Sequence, residues 1–342
     1  MIKLSVRSAE VEIEVNGKNI TAEISPYVKS FSYSDALSGE SNVAEITLHD
    51  ANHIWREAWF PRRGDTAAVS IIRKNWNSEE TERLKLGQWE IDEFEYNSSS
   101  SGGNEARVKL NSIPNSSGLR SINESRSWEQ VKLSKIAADI AADAGMVLFY
   151  DATDDPEIAR AEQSEKSNLA FLEKLCKDNY LILTVADNRL IICDEKKLED
   201  QTPVIKISYG TDAIISFRAR ATISKIYRSC EVNYKHGKKS EEISAKFDDP
   251  SKEKGLTVKV NKKVSTQAEA EKLARNELRA KNKEELKISL SLVGRFCYLS
   301  GNVIEIDGYG EFDGNYIIEK ASHKIGNSGY TVDVEARKRL EF

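Results

Sequence analysis

Gly87-Gln88-Trp89-Glu90-Ile91-Asp92 reads as a turn glycine running into a strand, and Gly314-Asn315-Tyr316-Ile317-Ile318-Glu319 reads the same way far downstream. Glycine supplies the positive φ that such a turn often needs before the chain extends. The flanks of the two hexamers also match. Ile46-Thr47-Leu48 and Gly64-Asp65 precede the first, and Gly103 with Arg107-Val108-Lys109-Leu110 follows it. Ile288-Ser289-Leu290 and Gly301-Asn302 precede the second, and Gly329 with Thr331-Val332-Asp333-Val334 follows it. The second and third glycines are nearly equally spaced in the two copies, while the middle loop is shorter in the second. The repeat therefore pairs Ile46, Gly64, Trp89 and Val108 with Ile288, Gly301, Tyr316 and Val332.

Outside these cores, strand periodicity dominates residues 1–115. Val11, Ile13 and Val15 alternate with acids, Asn16-Gly17 turns the chain, and Ile20, Ala22 and Ile24 alternate again. Alternation around Asn-Gly predicts a hairpin. Further strands are expected over Val43–Leu48, Ala67–Ile72, Leu84–Tyr96 and Ala106–Leu110, with a turn at Ser98–Gly103. Short strands at this spacing indicate a barrel or sandwich.

The period changes in residues 116–202. Leu133, Ile136, Ala137, Ile140, Ala141 and Ala144 form one helical stripe. Ser127 with Gln130 reads as its capping box and Gly145 as its stop. A second helix is expected over Ser167–Asn179, burying Leu169, Leu172, Leu175 and Cys176. A hairpin follows, turning at Asp187-Asn188. This section reads as a small α+β insert.

From residue 203 the β pattern returns, over Val204–Ser208, Ile214–Phe217, Ile223–Tyr234 and Leu256–Val260. The charged stretch 235–255 reads as a solvated loop or hairpin tip. Helix 266–281 is capped by Thr266 and Glu269 and buries Ala270, Leu273, Ala274 and Leu278. Its other face, with Arg275, Glu277, Arg279 and Lys281, is expected in solvent. Leu286, Ile288, Leu290 and Leu292 then mark a half-buried strand. The expected fold class is mainly β with an α+β insert: one barrel over 1–115, the insert over 116–202 and a second, similar barrel over 203–342. Three such chains would present six similar faces around one axis.

Composition narrows the function. The chain has 342 residues, consistent with roughly two domains or slightly more. Its net charge is −5, which disfavours a protein that grips nucleic acid by neutralising phosphates. The start, Met1-Ile2-Lys3-Leu4-Ser5-Val6, lacks the apolar core of a signal peptide, and no stretch is apolar enough to span a bilayer. Folding in the bacterial cytoplasm is expected. Cys176, Cys193, Cys230 and Cys297 have no metal-ligand spacing and read as buried reduced thiols.

No catalytic, cofactor-binding or metal-binding constellation is expected. Asp307, Glu311 and Asp313 beside Tyr309 and Phe312 could imitate a sugar site, but Gly308, Gly310 and Gly314 punctuate the segment as a turn. His49 and His53 read as surface histidines around a turn, with no HExxH pattern. The aromatic and basic group Trp55, Trp59, Phe60, Arg62 and Arg63 is a candidate subunit interface, since Trp and Arg are enriched at interface hot spots. Its other reading is a turn that covers the open end of the first barrel.

Several segments together resemble the phage late control D proteins, the tail-hub family that includes the hub portion of type VI secretion spike proteins. They are Leu86–Asp92, Gly118-Leu119-Arg120, Ser125-Arg126-Ser127-Trp128, Glu165–Leu172, Gly301-Asn302-Val303, Phe312–Ile318, His323 and Gly329-Tyr330. The resemblance implies tube-type barrels in a homotrimeric baseplate hub. It also implies a hexameric tail tube protein on one side and a spike protein on the other. The spike is expected to be a separate chain, because no β-helical repeat precedes Phe342. DNA would pass through the lumen without specific binding, within a phage or phage-like contractile particle. A tail-associated peptidoglycan hydrolase or glycan-binding component is the alternative.

Overall fold

A computed structural model describes residues 7–76, 81–100, 103–211, 213–235 and 242–342. Parts of three sequence readings lie outside the described residues: 1–6 at the start, 101–102 of the Ser-Gly turn, and 236–241 of the charged stretch. The fold is mainly β, and the chain divides into two compact units.

The first unit comprises Met1–Lys197, Leu292–Ser300 and Glu319–Asp333. In it, Ser8–Val15, Thr66–Lys74, Thr81–Ser99, Gly103–Asn111, Val43–His49 and Val28–Ala36 lie side by side in that order, all antiparallel. Lys320–Ile325 continues the ladder beyond Val28–Ala36. Alternate residues bury Phe31, Ala44, Ile46, Leu48, Val69, Ile71, Trp89 and Leu110. Area removed from water on this one face is the main stabilising contribution. The α+β section packs two helices, Leu133–Asp143 and Asn168–Asp178, around Leu119, Ile136, Ile140, Leu172, Leu190 and Ile192. Asp187 and Asn188 both have positive φ, so the hairpin Leu181–Asp194 turns where expected.

The second unit comprises Leu198–Ser291, Gly301–Ile318 and Val334–Phe342. Ile205–Ser208 runs parallel to Val303–Asp307, which pairs antiparallel with Gly314–Ile317. Glu242–Asp248, Tyr227–Lys235 and Leu256–Val260 form a separate sheet in that order. Helix Gln267–Asn282 packs on it through Ala270, Ala274 and Leu278. The expected capping box is present: Thr266 accepts from Glu269 N–H and the Glu269 carboxylate accepts from Thr266 N–H.

Two sets of strands share one spatial order. Val43–His49, Gly103–Asn111, Thr81–Ser99 and Thr66–Lys74 are successive neighbours, and so are Leu286–Val293, Gly329–Lys338, Gly314–Gly326 and Val303–Asp307. Val28–Ala36 flanks the first set as Ile214–Ala221 flanks the second. The glycines that open corresponding turns all have positive φ: Gly64 and Gly301, Gly87 and Gly314, Gly103 and Gly329.

Several expectations are corrected. Thr21–Ile24 is a helical turn and not a strand. Asn19 Oδ1 accepts from Thr21 N–H, and the Thr21 hydroxyl accepts from Ile13 N–H, which curls the chain over the strand it follows. Ser127 and Gln130 form no capping box, because both lie in strand Asn123–Lys132, paired with Glu157–Ser167. The first N–H groups of helix Leu133–Asp143 are satisfied from another loop: Leu133 donates to Pro156 O and Ser134 to Asp155 Oδ1. Ile223–Lys225 is a 3-10 turn, and the strand expected there begins at Tyr227. The charged stretch contains strand Glu242–Asp248, whose partly or fully buried Ile243, Ala245 and Phe247 alternate with exposed Ser244, Lys246 and Asp248. Cys297 is half-buried, whereas the other three cysteines are buried.

Arg279 is also corrected from solvated to buried. Its guanidinium donates to Glu199 at 2.7 Å and to the main-chain oxygen of Phe342. Arg337 donates to the other Glu199 oxygen, and both Glu199 and Arg337 are fully buried. Two guanidiniums around one carboxylate compensate the desolvation that any one of these charges would suffer alone.

Candidate subunit interface

The segment between strands Val43–His49 and Thr66–Lys74 carries the aromatic group, and its two ends are pinned differently. At the first end, Asp50 is fully buried and its Oδ1 accepts from Trp55 N–H at 3.3 Å. The Trp55 indole N–H donates to His49 O at 2.9 Å, and the ring meets Tyr27 edge-on at 5.7 Å. An indole with its polar atom satisfied can be buried fully. Trp55 is 4% exposed. At the other end, Asp65 accepts from Arg62 N–H and Asn16 Nδ2, while Gly64 turns the chain with positive φ.

Between these anchors the chain makes turns and no helix. Trp59 nevertheless stacks edge-on against Trp55 at 5.3 Å, and Phe60 meets Phe94 at 4.9 Å. Trp59 is 38% and Phe60 52% exposed, and the Arg62 and Arg63 side chains are in solvent. An apolar cavity of about 330 Å³ lies under the loop, lined by Ile20, Ile24, Leu48, Trp55, Trp59 and Phe60 among others. The five candidate residues therefore separate by role. Trp55 belongs to the core of its own chain and has almost no surface to offer a partner. Trp59, Phe60, Arg62 and Arg63 remain available at the surface.

Two residues that the sequence reading passed over join this group. Phe94 carries Phe60, and Tyr96 lies under the Arg56 guanidinium at 5.6 Å and near His53 Nδ1 at 3.3 Å. Their signal was available: Phe94 and Tyr96 alternate with exposed Glu93 and Glu95 along one strand.

Within the group, desolvation raises the Tyr96 phenol, and several other groups with shifted acidity lie buried elsewhere. Burial pushes Asp35 above the usual carboxylate range, opposed by hydrogen bonds from Ser300 N–H and Asn42 Nδ2. His323 sits between Tyr330 OH at 2.7 Å and Tyr298 O at 2.8 Å, and burial lowers it to about 4. Such a histidine is neutral at pH 7, with Nε2–H donating to Tyr298 O and Nδ1 accepting from Tyr330. Burial raises the thiols of Cys176 to about 12 and of Cys193 and Cys230 to about 11, which keeps them protonated. The Asp307–Asp313 segment is the expected turn: Asp313 accepts from Tyr309 N–H at 2.7 Å, and Lys206 lies 3.4 Å from Asp307.

The family model described as YQBQ-like matches residues 178–337. Comparison with curated proteins yields no match. Among solved structures, the chain is similar to the 43 kDa tail protein of prophage MuSo2 from Shewanella oneidensis. The TM-score is 0.73 at 14% identity, covering 97% of this chain and 99% of that one. A tail protein from Neisseria meningitidis MC58 gives 0.71 at 11% identity, covering 97% of each chain. An E. coli component of the type VI secretion system, itself structurally similar to the T4 bacteriophage tail proteins gp27 and gp5, gives 0.56 at 11% identity. That match covers 96% of this chain and 77% of the other. At these identities the likeness shows a shared fold.

Proposed function

We propose that this chain is a structural baseplate hub of a phage or phage-like contractile particle, linking a hexameric tail tube to a trimeric spike as a homotrimer. The observation that carries the proposal is the strand order shared by the two β regions. Two similar β-barrels per chain, one in 1–115 and one in 203–342 around the insert 116–202, would give three chains six similar faces. A three-fold spike could then meet a six-fold tube without either changing symmetry. The tail-protein fold supports the setting, because it spans nearly the whole chain. The late control D resemblance points to the same assembly.

In this reading the hub is not an enzyme, and its surface does the work. Trp59, Phe60, Arg62 and Arg63 contact a neighbouring subunit. DNA crosses the lumen without being held, which requires few clustered lysines or arginines there. The test is electron microscopy of particles assembled with this chain bearing a bulky label. The expected image has three labels around the axis where the tube meets the spike. Labels along the tube, or a single label per particle, would overturn the proposal.

A further inference from the structure

The two matching hairpins differ in what lies along one edge. In the second, Gly314–Ile317 pairs with Val303–Ile306 and the continuing Lys320–Ile325 pairs with Phe31–Ala36 of the same chain. In the first, Thr81–Glu90 pairs with Thr66–Lys74, and Ile91 N–H donates to Asp65 O. Beyond that point the same edge of Glu93–Ser98 has no strand beside it among the described residues. One strand is missing there that the second hairpin possesses.

The strand that fills this position in the second hairpin is Val28–Ala36, and its topological counterpart is Ile214–Ala221. Ile214–Ala221 is the last strand of its ladder. It has Leu286–Val293 on one side and no strand on the other among the described residues. Each chain thus carries one vacant position and one unused strand of the kind that fills it. An open edge is a template for pairing with another chain.

Side chains on the two edges complement each other. Ile214–Ala221 presents exposed Arg218 and Arg220, and Glu93–Ser98 presents exposed Glu93 and Glu95. Their present partners are Lys109, Arg107 and Glu284, in exposed pairs at 3.0–3.8 Å. Such pairs are worth little, so re-pairing across an interface costs little. Ile215 is 57% exposed on the first edge, and Phe60 stands over Phe94 on the second.

We infer that a second copy of this chain docks Ile214–Ala221 antiparallel along Glu93–Ser98, reproducing between chains the pairing made within the chain by Phe31–Ala36 and Lys320–Ile325. The contact is head-to-tail, and three such contacts about a three-fold axis would form a ring in which contacts between chains resemble those within a chain. This rests on the homotrimer reading above and assigns its interface.

The test mixes two preparations of the full chain, one with Ser216→Cys and one with Glu95→Cys or Asn97→Cys, under mild oxidation. Disulfide-linked dimers are expected in the mixture and in neither preparation alone. Linked dimers from Ser216→Cys alone would mean that like edges pair, and would overturn the head-to-tail contact. Sedimentation of the unmodified chain separates the two readings. Trimers without cross-links keep the homotrimer and overturn this interface, whereas neither trimers nor cross-links would overturn both. As a second arm, Arg218→Glu with Arg220→Glu should weaken association at least about tenfold through like-charge contact. Mixing that variant with Glu93→Lys/Glu95→Lys protein should restore it. Unchanged association of correctly folded reversal variants would also overturn the interface.

Discussion

The hairpin Thr81–Asn111 and the hairpin Gly314–Lys338 start from matching turns and matching buried aromatics, yet their far halves have different surroundings. Trp89 and Tyr316 are both buried at corresponding positions. Beyond them, the second hairpin buries His323 and Ala321 where it pairs with Val28–Ala36. The first leaves Glu93, Glu95 and Asn97 in water and Phe94 and Tyr96 only partly covered. One backbone plan can thus serve as core or as surface, depending on whether a further strand lies alongside. The difference locates where a self-assembling protein would keep its open edge.

The largest expected effect tests the likeness. Trp89→Ala and Tyr316→Ala should each cost about 3–5 kcal/mol of stability, as for deletion of a large buried aromatic. Denaturant unfolding measures both. A near-zero cost for either would end the equivalence of the two positions.

The next effect belongs to the covered hairpin alone. His323 titrates at about 4 when folded and near 6.5 when exposed, so the unfolded chain takes up its proton first as pH falls. Stability from this residue is full above about pH 6.5 and is lost progressively toward pH 4, by up to about 3 kcal/mol. Asp35 works in the opposite sense: its raised carboxyl stabilises at low pH and loses that contribution as pH rises through its folded value. Comparing unfolding at pH 7 and pH 4.5 in wild type and His323→Gln isolates the histidine. An unchanged pH slope in the variant would show that His323 is not the source.

The smallest effect concerns the exposed side. Trp59→Ala and Phe60→Ala should change monomer stability by about 1 kcal/mol or less, whereas Trp55→Ala should cost several. Thermal melts of the three variants, with sedimentation alongside, sort them. If Trp59→Ala melts as low as Trp55→Ala, the loop is core throughout and has no role left at a contact.

Much of this fold was legible where local chemistry decides the outcome. Asp187-Asn188 could only be a tight turn between two apolar runs, and it is. Thr266 and Glu269 cap their helix because both partners lie within one turn of each other. The same reasoning misplaced Ser127 and Gln130, because the helix that follows takes its N-terminal partners from Asp155 and Pro156, which no local pattern links to it. Phe247 was hidden by charge density, since its strand is half solvated. In the candidate interface, residue types gave the cluster but could not divide it.

The β character, the helical segments within residues 116–202, the repeated turns and the aromatic loop all follow from residue spacing and backbone preference, and so were legible in the chain itself. That Trp55 is core while Phe60 is surface follows instead from packing against distant strands. Packing likewise buries Arg279 against Glu199 and, among the described residues, leaves Glu93–Ser98 without the strand its counterpart has. The physical reason is the same in each case: burial and pairing depend on what arrives from elsewhere in the chain, and a residue's own neighbours in sequence carry no record of it.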